Sequence, residues 1–310
     1  MINNKELKSK KILVLMGGLN EESEVSRSSG SSVLKSLIEN GYDAIGLEFD
    51  LKFIDKITKI KPDLVFIALH GKFGEDGRIQ SILDFLQLPY THSSFLPCSI
   101  SMDKLISLKL AKSMGVEIPR GNVLKKGSKD NSKRIEEIGY PAIIKPINSG
   151  SSVGIEIIND KNSFNIENYD WKYGDKVLVE EYISGKDIQV GIINGEAIGA
   201  IEIRPKNKFY NYESKYTKGM SEYIMPANIP SASYERVLKI AQDVHNNFGC
   251  EGVSRVDFMY DSNLDKFYFL EINTHPGFTE NSLLPKIAQY YGISFIEIIE
   301  YLLKSAKCNF

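Results

Sequence analysis

The 310 residues predict an α/β chain that begins as a parallel sheet and turns α+β further on. Three observations carry the prediction. Up to residue 69, short apolar runs alternate with amphipathic segments, the pattern of strands joined by helical crossovers. An Asn194-Gly195 pair sits between two apolar runs, DIQVGII and AIGAIEI, and is a strong hairpin signal. A second pair of strand-like runs, SRVDFMY and KFYFLEIN, flanks the turn sequence DSNLD.

Taken in order, residues 11–16 (KILVLM) form a strand ending at Gly17-Gly18. Residues 24–40 place Val25, Ser29, Val33, Leu34, Leu37 and Ile38 on one helical face, and Gly41 stops the helix. AIGLEF (44–49) and DLVFIAL (63–69) supply two more strands around an amphipathic segment. Ligands bind at the strand C-terminal edge of such a sheet, where Gly17-Gly18 and His70-Gly71 both lie. The first domain is expected to span 1–97. The next, 98–185, opens with a helix over 102–114, then a strand pair, PAIIKP and VGIEII, around NSGSS, then the strand KVLVEEYI. The third, 186–310, holds both hairpins, a helix over 231–248 and a tyrosine-rich stretch, 205–225, read as a mobile loop.

Composition narrows the function. Hydrophobic residues are 42% and charged residues 25%, which excludes disorder and collagen-like structure. The balance of 38 basic against 40 acidic side chains argues against a general nucleic-acid binder. No run of 18 apolar residues predicts a membrane span. The basic start, MINNKELKSKKILVLM, has too short an apolar run for a signal peptide. Cys98, Cys250 and Cys308 are odd in number and lack CxxC spacing, as in a reducing compartment. The expectation is a cytoplasmic protein with no membrane or nucleic-acid partner.

The second hairpin carries the sharpest chemistry. Its turn is centred near residue 264, so Asp257 and Glu271 should face each other, with Asn273 on the same face. Two carboxylates and an amide oxygen make a hard oxygen site for Mg²⁺ or Mn²⁺. A solvated polar face is the alternative, but the flanking residues are apolar and opposed like charges call for a cation. After Lys145-Pro146, the loop Asn148–Gly154 could turn backbone N–H groups onto an anion or be a plain hairpin turn. Arg255 is either a partner for the carboxylates or a clamp for an anion; spacing leaves both open. The Gly277 N–H could donate to an oxyanion, although a loop after a strand needs glycine anyway. Walker A and GxGxxG patterns are absent, which counts against a dinucleotide-binding oxidoreductase. Among the histidines, His70 is placed to meet a ligand and His245 to pack in the core, while His92 and His275 fall in loops.

Six segments, GGLNEESEVSRSSG, HGKFGEDGRIQ, SMDK, KPINSGSSVGI, NYESKYTKG and SRVDF…LEINTHPGFTENSLLP, together resemble the D-alanine–D-alanine ligases of the ATP-grasp superfamily. The resemblance covers nearly the whole chain. It implies a Rossmann-like N-terminal parallel-sheet domain followed by a two-domain ATP-grasp fold. It also implies ATP-dependent joining of two D-alanine molecules through an acyl phosphate, for peptidoglycan precursor synthesis, with two Mg²⁺ or Mn²⁺ ions and a homodimer. By motif match, Asp257, Glu271 and Asn273 become metal ligands. Lys104, Lys145 and Lys215 become phosphate contacts, with Ser151 and Ser152 in the loop that closes over the phosphates. Glu180, Glu181 and Ile183 would border the adenine, and Asp187 would reach the ribose. Glu22 would hold the first D-alanine's ammonium with His70 nearby, and Ser282 the second one's carboxylate. Arg255 and Gly277 would stabilise the oxyanion, while Glu22, Ser151 and Tyr216 would close the tyrosine-rich loop. Phe278, Asp187 and Glu181 depart from the family's usual methionine, glutamate and lysine. A D-Ala-D-Ser enzyme or another carboxylate–amine ligase of the same fold is the nearest alternative.

Overall fold

Three sheets organise the chain, each built from the apolar runs that the sequence alternates with helices. The computed structural model describes residues 4–150, 154–205 and 220–309. The first sheet is parallel, in the order β2 (Ala44–Phe49), β1 (Ile12–Gly17), β3 (Leu64–Ile67). Strand β1 is buried along its whole length, as a central parallel strand covered on both faces must be. Helix α1 (Asn4–Lys8) precedes it, and α2 (Ser23–Glu39), α3 (Phe53–Ile60) and α4 (Arg78–Phe85) complete this part. Gly30 on α2 has no room for a side chain, because a Cβ there would lie 2.4 Å from the Met16 Cβ of β1.

The helix expected over 102–114 is found at Lys104–Ser113, preceded by a short helix that was not expected. Helix α5 (Phe95–Met102) ends at Asp103, whose carboxylate then caps α6 (Lys104–Ser113) by accepting from the Leu105 and Ile106 N–H groups. A four-stranded antiparallel sheet follows, in the order β4-β7-β5-β6: β4 (Gly121–Lys125), β5 (Ala142–Pro146), β6 (Glu156–Ile158) and β7 (Lys176–Glu181). Strand β4 and helix α7 (Asn131–Ile138) were not expected, and β7 stops two residues before Ile183.

The third sheet has five antiparallel strands, in the order β10-β9-β8-β11-β12. The first hairpin, β8 (Lys186–Ile193) and β9 (Glu196–Pro205), turns at Asn194 and Gly195, both at positive φ (57° and 72°), as a two-residue turn requires. Part of the stretch expected as a loop is a strand, β10 (Ser221–Ile224), paired with β9; its polar, aromatic sequence hides that role. The second hairpin is β11 (Val253–Asp261) and β12 (Lys266–Asn273). Helix α8 (Ser231–Asn247) covers one face of the sheet. Helices α9 (Leu283–Tyr290) and α10 (Phe295–Ser305) return to the first sheet, where Ile298, Ile299, Leu302 and Leu303 join a core with Val14, Phe66 and Val33. Among the described residues no helix is long and apolar enough to cross a membrane.

Candidate active site

Asp257 and Glu271 pair directly across the second hairpin, and Arg255 pairs with Asn273, so all four share one face. The pairing arises with a bulge: Phe258 pairs with Phe269, leaving Leu270 as an extra residue that shifts the register before Asp257. The two opposed carboxylates are not left bare. Arg255 donates from Nε and Nη2 to the two Asp257 oxygens, both at 2.7 Å. The Lys104 Nζ lies 3.3 Å from a Glu271 oxygen and donates to the Ser149 carbonyl at 2.6 Å. Protein cations therefore supply part of the neutralisation that the opposed carboxylates call for.

This face borders a cavity of about 500 Å³ between the first and third sheets. Of the predicted site residues, Glu22, His70, Lys104, Arg255, Glu271, Asn273, Gly277 and Ser282 all line it. Glu22, at the start of α2, lies in a slot made by backbone. A Cβ on Gly71 would sit 2.1 Å from its carboxylate, so glycine there admits the side chain, while Gly150 approaches it at ordinary contact distance. On the opposite wall, the Ser282 Oγ lies 2.9 Å from the Thr279 Oγ1 and accepts from the Thr279 N–H at 3.0 Å. Helix α9 starts just after Ser282, so its first N–H groups point toward this end of the cavity.

A second group lies outside that lining. Lys145 and Glu180 are both buried on neighbouring strands β5 and β7, with Nζ 2.5 Å from a Glu180 oxygen. The other Glu180 oxygen is buried with no hydrogen-bond partner among the described residues. The Glu181 carboxylate accepts from the Arg120 backbone N–H and Nε at 2.8 and 2.7 Å, which ties β7 to the chain before β4. Ile183 is half-buried beyond the end of β7. Asp187 accepts from the Gln189 amide at 3.3 Å. Ser151, Ser152, Lys215 and Tyr216 lie outside the described residues.

Sequence reasoning missed several lining residues. Ser29, on the buried face of α2, lies 2.9 Å from the His70 Nε2 and accepts from the Phe278 N–H at 3.1 Å. Glu75 lies 3.1 Å from the His70 Nδ1 and sits in the same HGKFGED segment, which was its only signal. Tyr223 reaches the cavity from β10. His92 and His275, without partners in the sequence reading, are stacked with ring centroids 4.6 Å apart. Burial, with the nearby His70 adding to it, holds the His92 pKa down at about 3. His245 packs in the core as expected, bonded to Ser254, and burial lowers its pKa to about 4. Phe278 fills a gap between Phe66, His92 and Phe295.

The hairpin set suits a divalent cation: every donor is an oxygen, two are carboxylates, and they share one face. Among the described residues no three His, Cys, Asp or Glu side chains gather as a metal site, so the Asn273 amide is needed as third donor. Buried lysines, the buried Glu180 carboxylate between β5 and β7, and this oxygen set fit a nucleotide triphosphate and its metal ion.

An N-terminal parallel sheet followed by two antiparallel sheets with such a cleft is the ATP-grasp arrangement. Comparison with known proteins carries this further. Residues 110–304 match the family model described as D-ala D-ala ligase C-terminus, and residues 50–93 match D-ala D-ala ligase N-terminus. A D-alanine–D-alanine ligase from Rickettsia bellii is 43% identical over 299 residues, covering 96% of this chain and 92% of the relative. The crystal structure of the Bacillus anthracis D-alanine–D-alanine ligase complexed with ATP superposes with a TM-score of 0.84. It is 30% identical and covers 96% of this chain and 97% of the other. The VanG D-Ala:D-Ser ligase from Enterococcus faecalis reaches a TM-score of 0.80 at 28% identity, covering 95% and 98%. The chain belongs to the D-alanine–D-alanine ligase family. Membership brings with it the use of a nucleotide and a divalent metal ion.

Proposed function

We propose that this protein joins two D-alanine molecules into D-alanyl-D-alanine at the expense of ATP, in the cytoplasm, as a step of peptidoglycan precursor synthesis. The observation that carries the reading is the convergence of Glu22, His70, Arg255, Glu271, Asn273, Gly277 and Ser282 on one cavity. The chain would divide into domains 1–97, 98–185 and 186–310, each holding one of the three sheets, and would act as a homodimer.

The chemistry follows from what a carboxylate lacks. A free carboxylate is a poor electrophile, so one D-alanine carboxylate oxygen attacks the γ-phosphorus of ATP and ADP departs. The amine of the second D-alanine attacks the resulting acyl phosphate, loses a proton, and phosphate leaves. Glu22 would hold the first ammonium group and His70 would lie against the same molecule. Ser282 and the N–H groups opening α9 would take the second carboxylate. Arg255 and the Gly277 N–H would stabilise the tetrahedral oxyanion. Lys104, Lys145 and Lys215 would spread over the phosphates, with Ser151 and Ser152 closing above them. Glu180, Glu181 and Ile183 would border the adenine and Asp187 would meet the ribose. Tyr216 would join Glu22 and Ser151 to exclude water, which would otherwise hydrolyse the acyl phosphate. Asp257, Glu271 and Asn273 would hold two Mg²⁺ or Mn²⁺ ions, which supply charge neutralisation during phosphoryl transfer.

The test is phosphate release from MgATP with D-alanine, with L-alanine and D-serine as controls and mass detection of product. Release that depends on D-alanine and yields the dipeptide supports the reading. The VanG relative makes D-serine the informative control, and preferential D-Ala-D-Ser formation would move the second substrate. No release with any amino acid would sink the proposal.

A further inference from the structure

We infer that Ser29 is a positioning residue that holds the His70 ring through its Nε2 and fastens the Gly277–Phe278 backbone with one hydroxyl. The inference rests on the ligase reading for its kinetic consequence, though not for its geometry. Ser29 is fully buried on α2, on the face that helical periodicity assigns to the core, yet its hydroxyl borders the cavity. It accepts from the Phe278 N–H at 3.1 Å and meets the His70 Nε2 at 2.9 Å. The His70 Nδ1 faces the Glu75 carboxylate at 3.1 Å. An ionised carboxylate only accepts, so Nδ1 must carry a proton.

The remaining proton is then fixed by counting. In neutral His70, Nε2 is an acceptor, and Ser29 donates its single proton there while accepting from Phe278. Alanine at position 29 removes both contacts at once. It leaves the Phe278 N–H without its acceptor in a buried place and leaves the His70 Nε2 without its donor. Ser29 thus links the wall of the cavity that carries Glu22 and His70 to the wall that carries Gly277. Alanine has the higher helix propensity, so the helix itself gives no reason for a hydroxyl here.

The experiment compares wild type, Ser29→Ala and Ser29→Thr. Two readouts are used: steady-state kinetics, and ¹⁵N-histidine NMR with the His70 signals assigned from a His70→Asn sample. The expected result for Ser29→Ala is a fall in kcat with D-alanine on the order of 10–100-fold, as for loss of an outer-shell orienting contact. The KM for ATP should stay within about twofold, in keeping with uniform binding left intact. In the His70 spectrum the Nδ1–H tautomer, held by Glu75, should persist, while the Nε2 resonance should move downfield, as for an imidazole nitrogen that has lost its hydrogen-bond donor. Ser29→Thr keeps the hydroxyl and should retain the wild-type Nε2 resonance. If Thr does not fold, Ser29→Cys, a weaker donor, should give an intermediate spectrum. A Ser29→Ala enzyme with kcat within twofold of wild type would overturn the proposal. So would an unchanged His70 Nε2 resonance, whatever the rate, because a serine that does not bond the ring would leave it alone. If the wild type made no dipeptide, the ligase reading would fall while the NMR comparison would still decide the role of Ser29.

Discussion

Replacing Phe278 by alanine should remove about 4 kcal/mol of stability, near the middle of the range for deleting a buried phenyl ring. The ring is 2% exposed. Its centroid lies 5.5 Å from Phe66 on β3, 5.5 Å from Phe295 at the start of α10 and 6.0 Å from His92. Two of these contacts are edge-on, the geometry that adds about 0.5–1.5 kcal/mol per pair beyond area burial. The three neighbours come from separate parts of the chain, so the hole is only partly closed by relaxation and the low end of the range is not expected. Methionine fills most of the volume and keeps the apolar contact, so Phe278→Met should lose only about 1–2 kcal/mol, chiefly the ring–ring terms. The assay is urea denaturation followed by far-UV circular dichroism at pH 7.5, for both variants and wild type. A loss below about 1 kcal/mol for Phe278→Ala would refute the reasoning, because the ring would then not be joining the first sheet to α10.

Three further outcomes follow from the same structure. Lys145→Met should destabilise by about 3–5 kcal/mol, since it strands Glu180 as a buried carboxylate, whereas Lys145→Met/Glu180→Leu should recover most of the stability but not ATP binding; denaturation with parallel ATP titration separates the two effects. Acid should weaken the fold, because His92 and His245 stay neutral in the native state down to about 3 and about 4 while the unfolded chain takes up protons below about 6.5. Together they lower stability by about 2.5 kcal/mol as pH falls from 5.5 to 4.5, the buried His275 adds to this, and His245→Gln should remove about 1.2 kcal/mol of the loss; a pH dependence unchanged in the variant would contradict this. Asp257→Asn and Glu271→Gln should each weaken Mn²⁺ binding to the ATP-loaded protein by 10-fold or more, on the order seen when a ligating environment is disturbed. Paramagnetic resonance of free Mn²⁺ reads this directly, and unaltered affinity in both would remove the hairpin from the metal site.

The sequence exposed those features whose physics is local. Asn194-Gly195 announces its turn because positive φ at two successive positions suits few other residues. The facing of Asp257 and Glu271 followed from counting outward from the turn, but the count holds only because Leu270 bulges; without that extra residue Asp257 would meet Leu270. The like-charge argument for a metal was incomplete because Lys104 was not visible as a partner and the pairing of Arg255 with Asp257 was one of two open readings. Arg255 lies within the hairpin, whereas Lys104 arrives from the first turn of α6, more than 150 positions away. Ser29 was hidden for a related reason. A serine on the buried face of a helix looks like a packing residue, and only the approach of His70 and Phe278 reveals its hydrogen bonds. Strand β10 was lost among tyrosines and polar residues, since its pairing with β9, not its own pattern, makes it a strand.

Acyl-phosphate chemistry at this cavity is tested most directly by following oxygen. D-Alanine carrying ¹⁸O in both carboxylate oxygens is incubated with enzyme and MgATP, and released phosphate and dipeptide are analysed by mass spectrometry. Attack by the carboxylate on the γ-phosphorus predicts one ¹⁸O in each phosphate released, with one retained in the new peptide carbonyl. Dipeptide formation with phosphate free of ¹⁸O would contradict it, and would mean that the carboxylate is activated by some other route.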